Sequence, residues 1–344
     1  MASTTTKAAT AKSSLAPSMT LKGHGNSIGS ISYFPDGQRI ISGSDDETAR
    51  QWDLKEGKEI EEVRDVCEQW VSAVAVSRNS RWVVTGGGVG PRAELKVCEV
   101  ESGIVKKLQG HSRTITCIDI SADNTRLASG SIDETVRIWN LETGKLVAGP
   151  FDGLVGAVRF STDSKKLAVE LWAGKGLEVW DIQSQKLVKR IGNASGGLLS
   201  SAPIFWTNKN KNILAAFSFT EDVNAKTIYE FDASTLEPVG TPFEGHTDYV
   251  TGLALSFDST LLASSSYDEI IKLWAFESRQ LLASFDVQNP SNLILSPDSN
   301  FAQTSLYDTH ERIQRPQDLH LRYSTRHPCS SPPLRAKSES KMIY

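Results

Sequence analysis

The sequence predicts an all-β fold, a seven-bladed β-propeller of four-stranded antiparallel blades with the last blade incomplete or degenerate. Three observations carry that prediction. Short turn cassettes recur seven times, as FPDG (34–37), SRNS (77–80), SADN (121–124), STDS (161–164), TNKN (207–210), SFDS (256–259) and SPDS (296–299), with starts 43, 44, 40, 46, 49 and 40 residues apart. Alternating apolar runs flank them, the period-2 mark of strands buried on one face. No segment of helical period interrupts the series. Self-similarity at about 44 residues, with four short strands per unit, is the pattern of a radial repeat.

Each unit has the same order. A first strand leads into the cassette, as in Val71–Val76, Ile115–Ile120 and Val250–Leu255. Asp, Asn, Gly and Ser fill the cassette because they tolerate tight-turn dihedrals and bond their own backbone. A second strand follows (Arg126–Ser129, Leu261–Ser264), then a turn and a third strand ending in an aromatic residue: Trp52, Trp139, Trp180, Phe231 or Trp274, with Cys98 in unit 2. A short fourth strand, such as Gly144–Val147 or Gln280–Phe285, leads to the next unit. The units lie near 24–60, 67–105, 111–147, 153–188, 200–240, 246–285 and 290–308. Residues 18–22, SMTLK, are expected to supply the outer strand that closes the ring, because closure hides both edges. Length alone would suggest two domains at roughly 150 residues each; one ring over 18–308 replaces that count.

Composition narrows the function classes. The chain is 39% hydrophobic, enough for a packed core and too much for wholesale disorder. No apolar run approaches the roughly 20 residues of a membrane helix, so no membrane contact is expected. Four cysteines (Cys67, Cys98, Cys117, Cys329) cannot frame a chain this long with disulfides. That favours a reducing compartment, cytoplasmic or nuclear. The formal charge of −4 divides unevenly: residues 1–19 carry +2, 308–344 carry +3, and 20–307 therefore carry −9. An acidic body repels phosphate backbones, so no nucleic-acid partner is expected. Residues 1–17 lack the apolar stretch of a secretory signal and are expected to form a disordered tail.

Three units carry a fuller motif. Unit 1 has Gly23-His24 and SGSDDETARQWD (42–53), unit 3 has Gly110-His111 and SGSIDETVRIWN (129–140), and unit 6 has Gly245-His246 and SSSYDEIIKLWA (264–275). On a strand–turn–strand frame, this spacing brings His, Ser, Asp and Trp together as a buried hydrogen-bond relay in which each donor meets an acceptor. The expected structural tetrads are His24, Ser42, Asp46, Trp52; His111, Ser129, Asp133, Trp139; and His246, Ser264, Asp268, Trp274. Ser44, Ser131 and Ser266 face the same way by strand alternation and compete for the serine place. In both halves of their motif these units resemble the WD40-repeat family, and the resemblance covers roughly residues 18–308. The units are similar in style to fungal WD40 arrays, both free-standing and at the ends of nucleotide-binding immune-type receptors.

No catalytic residue is expected, and the chain is read as not an enzyme. His, Asp and Ser together invite a hydrolase reading, but three copies at one spacing contradict a single active site, and the GxSxG elbow is missing. Histidines in separate blades cannot converge on a metal, and no cofactor is expected. GGGVG (86–90) precedes no helix, so a phosphate cradle is not expected; it stands where unit 2 would have its Asp turn, as a longer hairpin. Function then falls to loops on a face. Two slots align near the His loops and Asp turns. One, directly before the first strand, holds Trp70 and Tyr249; the other, directly before or near the Asp, holds Tyr267, Tyr307 and Trp172. Trp70, Trp172, Tyr249, Tyr267 and Tyr307 are thus expected to ring one rim and contact partners, since aromatic residues dominate hot spots. The expected function is a non-catalytic protein–protein interaction scaffold or adaptor. The alternative is a peptide- or ligand-sensing module of the receptor kind. Partners would be other proteins or peptides, basic ones suiting the −9 body, around a monomeric propeller within a larger complex.

The last unit loses register after Asp308. Residues 310–314, HERIQ, stand where IIKLW (270–274) stands in unit 6. Residues 309–344 are therefore expected to be a disordered basic Ser/Pro/Arg-rich tail, with a weak seam between first and last blades.

Overall fold

In each repeat unit the first strand lines a central channel and the later strands step outward. The computed structural model describes residues 13–14, 19–60, 65–192, 203–220, 225–288, 290–296, 301–306 and 318–324. Seven sheets follow one another in the chain. Blade 1 is built from Ile28–Tyr33, Arg39–Ser44, Thr48–Asp53 and Lys58–Glu59, with Asp65–Val66 added on the third strand. Blade 2 uses Val71–Val76, Trp82–Val89, Arg92–Glu99 and Val105–Lys107, and blade 3 uses Ile115–Ile120, Arg126–Ser131, Thr135–Asn140 and Leu146–Asp152. Blade 4 comprises Val155–Phe160, Lys166–Leu171, Gly176–Asp181 and Lys186–Gly192. Blade 6 comprises Val250–Leu255, Leu261–Ser266, Ile270–Ala275 and Gln280–Asp286, with Ser13–Ser14 laid parallel on its outer strand.

Blade 5 is the short one, with Phe205–Thr207, Asn212–Phe217 and Thr227–Asp232 only. Its outer segment touches the third strand through two isolated bridges, Ile228 to Phe243 and Phe231 to Pro238. Pro238 and Pro242 have no N–H to give, so a continuous ladder cannot form there.

The seventh blade is the degenerate one, and its outer half departs from the sequence reading. Pro290–Leu295 and Phe301–Leu306 are followed by Asp318–Ser324 as third strand, and Met19–Lys22 completes the sheet from the other end of the chain. The tail expected from 309 onward thus contains a strand, as does the tail expected over 1–17. The reason is legible in DLHLRYS: Leu319, Leu321 and Tyr323 alternate with polar residues, the period that Gln314 and its neighbours lack. The stretch aligned by register, 310–314, lies outside the described residues, as do Tyr307 and Asp308. Nor is the seam bare. Leu21 is buried with Ile28, Ile40, Trp52 and Leu54 of blade 1, and Asn292 Nδ2 donates to Ile28 O at 3.1 Å.

Between blades the apolar faces interleave, as when Ile138 and Phe151 of blade 3 pack on Val158 and Leu171 of blade 4. One polar device repeats near the start of the first strand. Thr116 Oγ1 donates to Val155 O at 3.2 Å and Thr251 Oγ1 to Pro290 O at 2.9 Å, each binding a blade to the next. At the cassette end, turns are bonded across blades, with Thr162 N donating to Asn210 Oδ1 at 2.7 Å.

Candidate functional site

Antiparallel pairing fixes two ends of the ring. The first-to-second and third-to-fourth turns lie at one end. The second-to-third turns and the connections between blades lie at the other, which holds the His loops, the Asp turns and the expected rim.

Three tetrads are assembled there with nearly equal geometry. In blade 1, Trp52 Nε1 donates to Ser42 Oγ at 2.8 Å, Ser42 Oγ lies 2.7 Å from His24 Nε2, and His24 Nδ1 lies 2.9 Å from Asp46 Oδ2. Blade 3 has Trp139–Ser129 at 2.9 Å, Ser129–His111 at 2.8 Å and His111–Asp133 at 2.9 Å. Blade 6 has Trp274–Ser264 at 3.0 Å, Ser264–His246 at 2.8 Å and His246–Asp268 at 2.9 Å. An indole can only donate, so the serine hydroxyl must donate onward to Nε2 and the imidazole must donate from Nδ1 to the carboxylate. Every member is satisfied and the tautomer is set by the chain of donors.

The competing serines have a different task. Ser44, Ser131 and Ser266 donate to the carbonyls of Asn26, Arg113 and Asp248 and accept the N–H of Asp46, Asp133 and Asp268. They tie each Asp turn to its His loop.

Charge follows the same geometry. Burial pushes the Asp46 carboxyl up, but hydrogen bonds from His24 and Thr48 outweigh it and hold the group far below the usual carboxylate range. Asp133 and Asp268 are lowered in the same way, against their burial, by Thr135, Ser112 N and His111 in one case and by His246 and Thr247 N in the other. Burial lowers His111 despite the adjacent Asp133. In blade 3 the relay is thus a charged carboxylate with a neutral imidazole, and all three relays are hidden, unlike an exposed nucleophile and its base.

The blades without a tetrad are held by other polar groups. In blade 4, Trp180 Nε1 donates to Glu178 Oε2 at 2.8 Å and Arg190 Nε sits 3.1 Å from the same carboxylate. In blade 5, Phe231 takes the aromatic place. There Glu230 accepts from Thr207 Oγ1 at 2.6 Å and Asn212 Nδ2 at 3.0 Å, and pairs with Arg279 of blade 6. GGGVG forms the long hairpin of blade 2, where Val71 and Gly87 face one another. A Cβ on Gly87 would come within 1.8 Å of Trp70 O, so glycine is required for that approach.

The aromatic rim is narrower than the sequence suggests. Trp70 is 43% exposed and Tyr267 is 44% exposed. Tyr249 is only 3% exposed. It packs in the core of blades 5 and 6, edge-on to Tyr267 at 6.5 Å, and its burial pushes the phenol up to about 12. The position before a first strand alternates out of solvent when the loops on both sides close over it. Trp172 is half-buried on a turn of 3₁₀ helix and donates Nε1 to Val155 O at 2.7 Å. Tyr307 lies outside the described residues. Sequence reasoning missed Phe219, which is 59% exposed beside Phe217 and Tyr229.

The acidic excess is on this face as well. The turns Asp45-Asp46-Glu47, Asp133-Glu134 and Asp268-Glu269 carry it, joined by Glu68, Asp152, Glu244 and Asp248 and offset by Arg92, Arg113, Lys175 and Lys226. Turns at the other end pair their acids with bases in sequence, as in Asp36/Arg39, Asp123/Arg126 and Asp163/Lys166. Glu47, Glu134 and Glu269 are exposed and have φ of 65°, 64° and 60°, a left-handed backbone that glycine would adopt without strain.

Asp45 is the outlier among these acids. Burial, then the charge of Asp46, raises it to about 6. A carboxyl with a raised folded pKa costs stability above that value, and the cost is relieved as pH falls through about 6 towards the unfolded value of 3.8. Asp45→Asn is therefore expected to raise the melting temperature at pH 7.5, by about half as much at pH 5, and little near pH 4; an equal gain at all three pH values would show that charge is not the cause.

Among the described residues no three metal-binding side chains form a group, and no helix is long and apolar enough to cross a membrane.

Comparison with known proteins matches three segments of the chain to a family of repeats. Residues 15–53, 102–140 and 236–275 match the family model described as WD domain, G-beta repeat. The segments are those that hold the three tetrads. The chain is 23% identical over 259 residues to "Cell division cycle 20.5, cofactor of APC complex" of Arabidopsis thaliana, covering 72% of this chain and 55% of that protein. It is 25% identical over 300 residues to "Apoptotic protease-activating factor 1" of Rattus norvegicus (76% and 23%). It is 30% identical over 128 residues to a guanine nucleotide-binding protein subunit beta of Oryza sativa subsp. indica (35% and 34%). The matches thus span from about a quarter to little more than half of these relatives' lengths. Among solved structures, that of U3-55K superposes with a TM-score of 0.71 at 17% identity, covering 88% of this chain and 98% of that one, a likeness of fold.

Proposed function

We propose that this chain, a β-propeller that carries WD40 repeats, acts as a non-catalytic scaffold or adaptor that holds a partner protein on the face bearing the His loops and Asp turns. The observation that carries this reading is the coincidence on one face of exposed Trp70 and Tyr267 with the acidic turns. Aromatic anchors supply desolvated contact area, and the carboxylates steer and orient a basic segment. The strained glutamates support the same reading, because a left-handed backbone costs about 1 kcal/mol for a residue with a Cβ, and the charge is kept in three blades at that cost. Relatives named as a cofactor of a complex and as a subunit fit a protein that works by assembly. Four cysteines, too few to frame a chain of this length with disulfides, favour a scaffold in the cytoplasm or nucleus.

The test is Trp70→Ala with Tyr267→Ala, measured by melting temperature and by affinity capture with mass spectrometry. Both side chains are exposed, so the fold is expected to keep its melting temperature within a few degrees while captured partners fall about tenfold. Partners retained by the intact double variant would exclude this face.

A further inference from the structure

The opposite end of the ring carries a second, differently built opening. The first strands of all seven blades enclose a channel of about 610 Å³, and its wall includes Arg78, Asp119, Arg159, Phe205 and Phe257. Phe257 is 90% exposed, far above the next large hydrophobic, Phe219. Its backbone is fixed. The SFDS cassette that presents it is locked by Ser256 Oγ donating to Asp258 at 2.7 Å, with Thr260 N and Leu261 N donating back to Ser256 Oγ. Arg78 occupies the equivalent place in the cassette of blade 2, following Ser77 as Phe257 follows Ser256, and it too is exposed. Both residues therefore stand at the cassette end of one channel.

Behind them the wall is polar and fixed. Arg159 Nη1 lies 3.0 Å from Asp119 Oδ1 and its Nε donates to Ile204 O at 3.2 Å, while its guanidinium lies 4.7 Å from the centre of the Phe205 ring. Asp119 also accepts Phe160 N at 2.7 Å. Asp119 thus takes one edge of the Arg159 guanidinium, and the charge of Arg78, which forms no ion pair with it, adds to the positive side of the mouth. The turn carboxylates nearby, Asp123, Asp163 and Asp258, are taken up by hydrogen bonds from their own turns.

We propose that this cassette-end mouth binds an acidic protein segment carrying an aromatic or apolar side chain, its carboxylate against Arg78 and Arg159 and its ring against Phe257 and Phe205. An exposed phenylalanine on the same mouth as two guanidinium groups matches such a segment in both parts: the apolar contact removes Phe257 from water, and arginine pairs well with a planar carboxylate. A single-stranded nucleic acid would also offer rings and negative charge, but its phosphates need a continuous basic track, and the mouth has two cations on a body of −9.

The test uses the full chain and fluorescence anisotropy with three probes: a labelled peptide of glutamates interrupted by phenylalanine, its lysine counterpart, and oligothymidine. The acidic peptide is expected to bind saturably and more weakly at high salt. Arg78→Glu and Phe257→Ser are each expected to weaken it about tenfold at unchanged melting temperature. Trp70→Ala, at the other end of the ring, is expected to leave it unchanged, so failure here and failure of the scaffold face are separate results. Absent binding, equal binding by the Arg78→Glu and Phe257→Ser proteins, equal binding of the lysine peptide, or preference for oligothymidine would each overturn the proposal.

Discussion

Trp139→Ala is expected to cost about 3–5 kcal/mol, the range for truncating a buried tryptophan. The indole is 2% exposed, packs with Leu127 and Leu141, and is the sole donor at the head of its relay. Its removal leaves a cavity and takes the Nε1–H from Ser129 Oγ, so two costs add at one place. Differential scanning calorimetry of parent and variant measures the loss, and a variant within about 1 kcal/mol of the parent would show that the tetrad is dispensable to its blade.

Acid should weaken the parent in an order set by the same groups. His111 is lowered in the folded protein, so its contribution is complete above its ordinary value of 6.5 and is lost as pH falls through the folded one. Asp46, Asp133 and Asp268 are also lowered, so theirs is complete above 3.8 and is lost only in stronger acid.

Leu21→Asp is the second large effect, expected at about 3 kcal/mol or more. Leu21 belongs to the strand from one end of the chain that completes the last blade, yet its side chain is buried against the core of blade 1. A carboxylate there loses its hydration among Ile28, Ile40, Trp52 and Leu54, and the cheapest relief is for Met19–Lys22 to leave the sheet. Limited proteolysis should then cut first in this segment and melting should broaden. Lys22→Gln, exposed next door, is the control and should change stability by no more than about 1 kcal/mol, the range for losing an exposed charge contact. A Leu21→Asp protein that resists protease like the parent would mean that the ring holds without this strand.

These sites differ in how far they were readable beforehand. The tetrads depend on separations along the chain, four between Ser and Asp and six between Asp and Trp, and an antiparallel hairpin converts such separations into contacts almost unaided. The choice between Ser42 and Ser44 was not readable, since both point to one side of the strand and only the distance to His24 separates them. Tyr249 misled for a similar reason: its slot is the one that exposes Trp70, but the packing of two neighbouring blades decides burial. Phe257 was visible as an aromatic residue inside a turn cassette, although nothing in the sequence sets it across a channel from Arg78.

What the sequence determined by itself is the repeat: strand order, turn positions, three tetrads and an acidic body of −9. All follow from local periodicity, which backbone geometry turns into blades. The tertiary structure decided how the ring is finished and where the charge is placed. Closure joins residues 19–22, which the sequence already marks as the outer strand, to 318–324, about three hundred positions away, where the alternation falls out of step with the repeat and only pairing in three dimensions assigns it to the last blade. The acidic excess belongs to one face because antiparallel strands send alternate turns to opposite ends, and several turns at the cassette end, such as Asp36/Arg39, Asp123/Arg126 and Asp163/Lys166, carry a base beside their acid.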